Sequence, residues 1–432
     1  MAADTSGATG GCDSSSLGKL PPHVCLVDAS TQSSLRGPIH ARFRKQLNPW
    51  PERSMIPSVE LITNVEQLSA DDLNRWNELA RNPLQRWEWL GSWWRAYQGD
   101  YRLCVLKIKR QDEIIAFAPW CLESRVGTGK TIQFLGSGKA CTDHLSLLVA
   151  DGDIDDVCSA VARWLAHSAD PTGNTDEQRL LWDSIELIGV DRSDRTMNTL
   201  VESMQREKLD VELADGLGCY AIDLPATWDE YVRMRSKSGR REVRQSLKNI
   251  DTGTIRVDRV QDQQQLDAVW DQFVTLHQRR RHASGTTGCF DHPPFDVFLR
   301  DAASKLLDAG LLELIIATVD GVPVAAHFAI ADNDRWYFYQ SGMDPDAEAL
   351  RPGLSMFCHA IRESIQTGRT TFDMMRGDEP YKLRWRAELI PAREIRVCSP
   401  RRSAQLRQQV VKVGVTFKNL VKSGLGIGQP QS

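Results

Sequence analysis

The sequence contains no Cys-x-x-Cys pair, no apolar run long enough to cross a bilayer, and no large excess of charge of either sign. Its ten cysteines are scattered without a repeating framework, several of them in apolar runs, as at Cys104, Cys121 and Cys158. That pattern excludes a disulfide-stapled scaffold and predicts buried free thiols in a reducing compartment. A spanning helix needs about 20 consecutive apolar residues, so no transmembrane segment is expected. A formal net charge of −4 excludes a general polyanion binder and leaves only a local basic patch for such a role. The stretch MAADTSGATGGCDSSS lacks a basic segment followed by an apolar core. No secretory signal is therefore expected, and a cytoplasmic location is.

What is present is an ordinary globular composition over 432 residues, enough for two or three domains. Residues 1–55 are rich in Gly, Ser and Pro and read as a disordered leader. A first α/β unit is expected over 56–225, a second over 226–400, and a basic amphipathic tail over 401–432, where peripheral membrane contact is one option and packing on its own domain the other. Ser69 reads as the cap of a helix with Leu73, Trp76 and Leu79 on one face. The segment QRWEWLGSWWRAYQ carries two aromatic stripes, which suit a helix buried on two sides better than a platform for sugar rings. Two segments echo each other: RLCVLKIKRQDEIIAFAPW and LLELIIATVDGVPVAAHFA, each an apolar strand, an acidic turn and a strand with alanines and Phe. They predict a duplicated unit. A helix is expected after Pro352-Gly353, ending at Gly368, followed by a short buried strand, TTFDM.

Several motifs fail on inspection. VGTGKTIQFLGSGK lacks the first glycine of a phosphate loop, having Ser124 there, and TIQFL reads as strand. His359 with Glu363, and Cys289 with His292, have no third ligand in view, so no metal is expected. Arg376-Gly377-Asp378 reads as a turn.

The arrangement from 311 onward is more specific. Three antiparallel strands lead into ALRPGLSMFCHAI, a glycine at a helix start next to Arg351, and then into FDMMRGDEPYKLRW. This order resembles the GNAT acyltransferase fold. Over 311–386 it resembles most closely the branch labelled CelD/BcsL-type, associated with exopolysaccharide synthesis and related to the Fem peptidyltransferases. The single glycine followed by Leu354-Ser355 departs from the usual GNAT glycine pattern. The resemblance implies two tandem GNAT-like units, each a mixed, mainly antiparallel sheet flanked by helices. It also implies an acyl-CoA (acetyl-CoA) lying in a split of the second sheet, and transfer to an amine or hydroxyl of a sugar or small molecule. Arg351, Gly353, Leu354 and Ser355 are then expected to hold its pyrophosphate. Asp373 is expected at a strand end as a base of raised pKa, Tyr381 as the acid for the leaving thiolate, and Lys382 as the partner of a phosphate or anionic acceptor. Asp143 and Arg376 are placed on the acceptor side. The ordinary alternatives are a turn cap for Asp373, packing for Tyr381 and an ion pair for Lys382. The basic stretch Arg233, Arg235, Lys237, Arg240, Arg241, Arg244 and Lys248 reads as a solvated face or a grip on an anion. Two rival functions remain: aminoacyl transfer from charged tRNA, the one reading with a nucleic-acid partner, and a catalytically silent binding module.

Overall fold

A computed structural model describes residues 56–127, 129–169 and 180–409. The expected leader and the tail beyond 409 lie outside the described residues. Residues 402–409 are helical, and Arg401 ties this segment to its own domain through Asp183 at 2.7 Å.

The first half runs β1 (Ser58–Ile62), α1 (Ala70–Leu79), α2 (Trp87–Tyr97), β2 (Tyr101–Leu103), β3 (Val105–Arg110), β4 (Glu113–Ala118), β5 (Trp120–Arg125), β6 (Gly129–Phe134), β7 (Leu148–Val149), α3 (Ile154–Ala169), β8 (Ser184–Asp191), α4 (Arg195–Arg206) and β9 (Asp210–Asp223). Ser69 caps α1 as the sequence predicts, with Asp72 bonding back to the Ser69 amide at 2.9 Å. In α2, Trp89 and Trp93 are wholly buried. Trp89 packs edge-on against Phe298 and Tyr339 of the second half, at 4.7 and 4.9 Å between ring centroids. The Trp89, Trp93 and Tyr97 stripe is thus buried core, while Trp87 and Trp94 of the other stripe stay partly exposed. TIQFL falls in and just after β6, as expected. Residues 141–147 are an irregular buried stretch apart from the exposed Cys141, and strand pairing begins only at Leu148.

The second half runs α5 (Trp228–Met234), α6 (Lys237–Asp251), β10 (Arg256–Arg259), α7 (Gln263–Ala283), α8 (Pro293–Asp308), β11 (Leu312–Val319), β12 (Val322–Ala331), β13 (Arg335–Met343), α9 (Pro352–Gln366), β14 (Thr371–Arg376), α10 (Pro380–Arg384) and β15 (Glu388–Cys398). The two echoing segments form corresponding antiparallel hairpins, β3–β4 and β11–β12.

The sheets are mixed and flanked by helices, as the resemblance implies, but the halves interlock. Strands β1, β3, β4 and β7 form one sheet; the other eleven run β10-β11-β12-β13-β14-β9-β15-β8-β6-β5-β2. Strand β9 of the first half lies between β14 and β15 of the second, and β15 lies between β9 and β8. Each half therefore completes its sheet with a strand from the other, and the central seam has antiparallel pairing throughout.

Two parallel pairings interrupt the antiparallel pattern. One joins β6 to β8. The other joins β13 to β14, over only Arg335–Tyr337 against Thr371–Asp373. Just beyond Tyr337, Tyr339 is the extra residue of a bulge against β12, with Phe338 facing Ala329 and Gln340 facing Phe328. A bulge bends its strand, and from there β13 leaves β14, opening a split in the sheet. Gly342 sits in the diverging part with no room for a side chain. A Cβ there would lie 2.4 Å from the His277 amide nitrogen and 2.6 Å from the Leu276 carbonyl carbon of α7. Gly342→Ala is expected to push α7 off β13 and lower unfolding free energy by about 2 kcal/mol. Urea unfolding checks this, and an unchanged midpoint would show that the helix yields freely.

Candidate functional site

On the β13 side of the split lies a cleft of about 910 Å³, including its part open to solvent, with no β14 residue in its lining. His327 of β12, Phe338, Ser341, Gly342 and Met343 of β13, and Leu354 and Phe357 of α9 form much of its wall; Tyr381 and Arg384 of α10, with Trp385, close one side. Four arginines line it, Arg235, Arg280, Arg351 and Arg384, against one acid, Glu242. Glu242 is shared by Arg351 at 2.7 Å and Arg384 at 3.2 Å. Arg280 donates to the Ser341 hydroxyl. Arg235 is 5 % exposed, lies 4.5 Å over the Trp385 ring centroid, and has an Nη1 without a hydrogen-bond partner. The cleft therefore combines an apolar wall with uncompensated positive charge, the condition for holding an anion that carries an apolar or amide arm.

Of the residues expected to hold a pyrophosphate, Arg351, Gly353 and Leu354 line the cleft, and Ser355 is buried outside its wall. The start of α9 offers fewer free amides than the sequence suggests. Pro352 has none, and the Leu354 and Ser355 amides bond to the Arg351 carbonyl at 3.1 Å each, leaving that of Gly353. Arg351 takes a left-handed conformation, φ +51°, which turns the chain into the helix.

The expected catalytic residues separate. Tyr381 lines the cleft. Burial, helped by Glu379, pushes its hydroxyl above the usual phenol range, so it stays protonated and able to donate. Lys382 does not line the cleft; its ammonium is buried and bonds to the carbonyls of Met375, Arg376 and Gly377 at 3.0, 2.8 and 3.2 Å, and to Glu379 at 3.0 Å. It clamps the turn after β14. Asp373 lies inside β14, fully buried and outside the cleft wall. The expected rise in its pKa is reversed. Burial pushes the carboxyl up, but His144 and Arg335, each 3.1 Å from Oδ2, and the Met375 amide hold it below the ordinary carboxylate range. Asp143 and Arg376 pair with each other, Asp143 Oδ2 also taking the Arg376 amide at 3.1 Å. This pair bolts the irregular 141–147 stretch to the end of β14.

Sequence reading missed His327, and it named His144 only beside Asp143, on the acceptor side that the resemblance implies. His327 faces the cleft with an unpartnered Nδ1; burial first, then Arg280, lowers its pKa to about 3, so the ring is neutral. His144 sits where Asp191, Asp373 and Cys219 converge. Burial pushes its pKa down, but the two carboxylates outweigh this and raise it well above the ordinary value. A histidine between alanines on a strand, as in VAAHFA, was the only signal for the first; nothing local marks the second. His359 and Glu363 form an ordinary pair at 3.4 Å, with Glu363 also held by Arg259. Among the described residues six cysteines are buried. No helix among these residues is long and apolar enough to cross a membrane.

Comparison with known proteins agrees with this layout. Residues 237–383 match the acetyltransferase (GNAT) domain, a span that holds most of the cleft. No curated protein matches the chain. Among solved structures, FemX superposes with a TM-score of 0.53 at 11% identity, covering 78% of this chain and 96% of FemX. The C-terminal domain of a putative lysylphosphatidylglycerol synthetase from Agrobacterium fabrum gives 0.48 at 13% identity, covering 80% and 96%. A tandem GNAT protein from the clavulanic acid biosynthesis pathway gives 0.40 at 9% identity, covering 79% and 98%. The fold is thus one shared with FemX, and the domain match supports the GNAT superfamily for residues 237–383, which carry most of the cleft.

Proposed function

We propose that the cleft binds an acyl-CoA, acetyl-CoA in the first instance, and passes its acyl group to an amine or hydroxyl of a cell-envelope sugar or its precursor. The observation that carries this reading is four arginines against one glutamate around an apolar wall, at the start of α9 and in the split of the sheet. The Gly353 amide and the arginines suit a pyrophosphate; Phe338, Phe357 and Leu354 suit the acyl-bearing arm. In the reaction the acceptor's N or O bonds to the thioester carbonyl carbon, its proton passes to water, and the C–S bond breaks. Tyr381 donates to the leaving thiolate, and the neutral His327 Nδ1 accepts a hydrogen bond from the bound arm or acceptor. Most of the rate gain comes from holding the two reactants in line. The resemblance of 311–386 to the CelD/BcsL-type branch supports the sugar as acceptor class.

A second reading, aminoacyl transfer from charged tRNA, draws on one observation. Arg233, Lys237, Arg241, Arg244 and Lys248 are exposed beside the cleft, without an acidic partner among the described residues.

Calorimetry on the full chain separates the two. Acetyl-CoA is expected to bind with one site per chain. Gly353→Val is expected to weaken that binding at least tenfold while the protein stays folded, because a Cβ at Gly353 meets only the Met343 sulfur at 3.3 Å and the free amide beside it is then screened from a phosphate. No binding of acetyl-CoA, with salt-sensitive binding of charged tRNA, would favour the second reading.

A further inference from the structure

Outside the cleft, three chemically unlike side chains converge at the seam: His144 from the irregular 141–147 stretch, Cys219 from β9 and Asp373 from β14. Their ligand atoms lie within 4.8 Å of one another, and all three residues are buried. We propose that His144 Nε2, Cys219 Sγ and an Asp373 carboxylate oxygen bind one zinc ion that staples the seam between the two halves.

The donor set is one imidazole, one thiolate and one carboxylate. Zinc accepts each of these, and three protein ligands leave its fourth position to water. Zinc bonds of about 2.0–2.3 Å place tetrahedral ligand atoms roughly 3.3–3.8 Å apart, so a side-chain adjustment of about 1 Å closes the set. The imidazole is already oriented for the role. Nδ1 bonds to Asp191 at 2.9 Å, the outer carboxylate that fixes the tautomer of a zinc-bound histidine. Nε2 is buried, 3.1 Å from Asp373 Oδ2 but without the alignment of a hydrogen bond. The backbone behind it is fixed, since Gln85 and Asn82 both donate to the His144 carbonyl, at 2.6 and 3.2 Å. Asp373 Oδ1 is anchored by the Met375 amide at 2.8 Å. Charge balances as well. Without the metal, Arg335 and a protonated His144 face Asp191 and Asp373. With it, the two positive charges of zinc replace the proton on His144 Nε2 and the proton on Cys219 Sγ, so both protons leave and the net charge of this buried cluster is unchanged.

The test uses the full chain, stripped with chelator and titrated with Co²⁺ as a spectroscopic stand-in and with Zn²⁺ as competitor. The expected result is one equivalent per chain, a thiolate-to-cobalt charge-transfer band in the near ultraviolet, and its bleaching by Zn²⁺. Cys219→Ser and Cys219→Ala, checked for folding by circular dichroism, are expected to lose the band and at least tenfold in affinity. Asp191→Asn is expected to weaken binding roughly tenfold or more by releasing the ring. Cys141→Ser, at an exposed cysteine outside the ligand set, is expected to change nothing. Binding well below one equivalent overturns the proposal. So does a band that survives in folded Cys219→Ser, since the metal then sits on other cysteines. Neither outcome bears on the acyl-CoA cleft, which none of these residues lines.

Discussion

Replacing Lys382 by methionine is expected to destabilise the protein by about 2–4 kcal/mol, the cost of leaving buried carbonyls without their charged donor. Lys382 is 1 % exposed. Its ammonium serves three successive carbonyls, those of Met375, Arg376 and Gly377, and the Glu379 carboxylate. The chain presents them together because Met375 and Gly377 both take positive φ, +59° and +122°, a curl that only a convergent donor stabilises. Methionine fills the volume but donates nothing, so the carbonyls lose their partner while remaining turned inward. The turn also carries α10, and with it Tyr381, Arg384 and Trp385 of the cleft wall. Affinity for the acyl donor should therefore fall along with stability. Arginine is a poor substitute, because a planar fork cannot reproduce three donors on one nitrogen. Urea unfolding decides the matter: a Lys382→Met midpoint near that of the parent, with lost affinity for an anionic substrate, would return Lys382 to a binding role.

The parts of this fold that were legible in the sequence are those set by local rules. Hairpins β3–β4 and β11–β12 announce themselves by an apolar run, an acidic turn and a second run. Helix α9 is marked by Pro352 at its start and Gly368 after its end. Helix α8, Pro293–Asp308, went unassigned, although the prolines that open it are the same kind of start signal. The exchange of β9 and β15 was beyond reach for a different reason. Strand β9 has no buried residue before Cys219, β15 mixes exposed and buried residues without alternation, and nothing in either pattern says which half supplies its neighbour. Site residues divided the same way. Tyr381 and Gly353 were singled out because a turn and a helix start are local signals, and both line the cleft. Lys382 was found but misassigned, since its partners are carbonyls, which leave no trace in a sequence. Asp373 was given the wrong shift because its counter-charge, His144, comes from the other half of the chain.

Arg235 was visible only as one cation in a basic run, and its environment now sets it apart. Its neighbours Arg233 and Lys237 are exposed, whereas Arg235 is buried with its guanidinium stacked on Trp385 and Nη1 unpartnered. A buried charge without an opposite partner costs stability in the free protein, and the same charge in a cleft wall is already desolvated for an incoming phosphate. The two effects predict opposite signs for one substitution. Arg235→Gln is expected to leave the melting temperature unchanged or raise it. Donor affinity is expected to fall by roughly 10–100-fold, since a charge-assisted hydrogen bond is worth about 1.5–3 kcal/mol. Arg235→Lys should recover only part of that affinity, because an ammonium does not stack on Trp385 as a guanidinium does. Paired measurements of thermal unfolding and acetyl-CoA binding on the same three proteins test this. A marked loss of stability in Arg235→Gln, with donor affinity intact, would show that the guanidinium holds Trp385 and α10 in place and that the phosphate is met by Arg280, Arg351 and Arg384 alone.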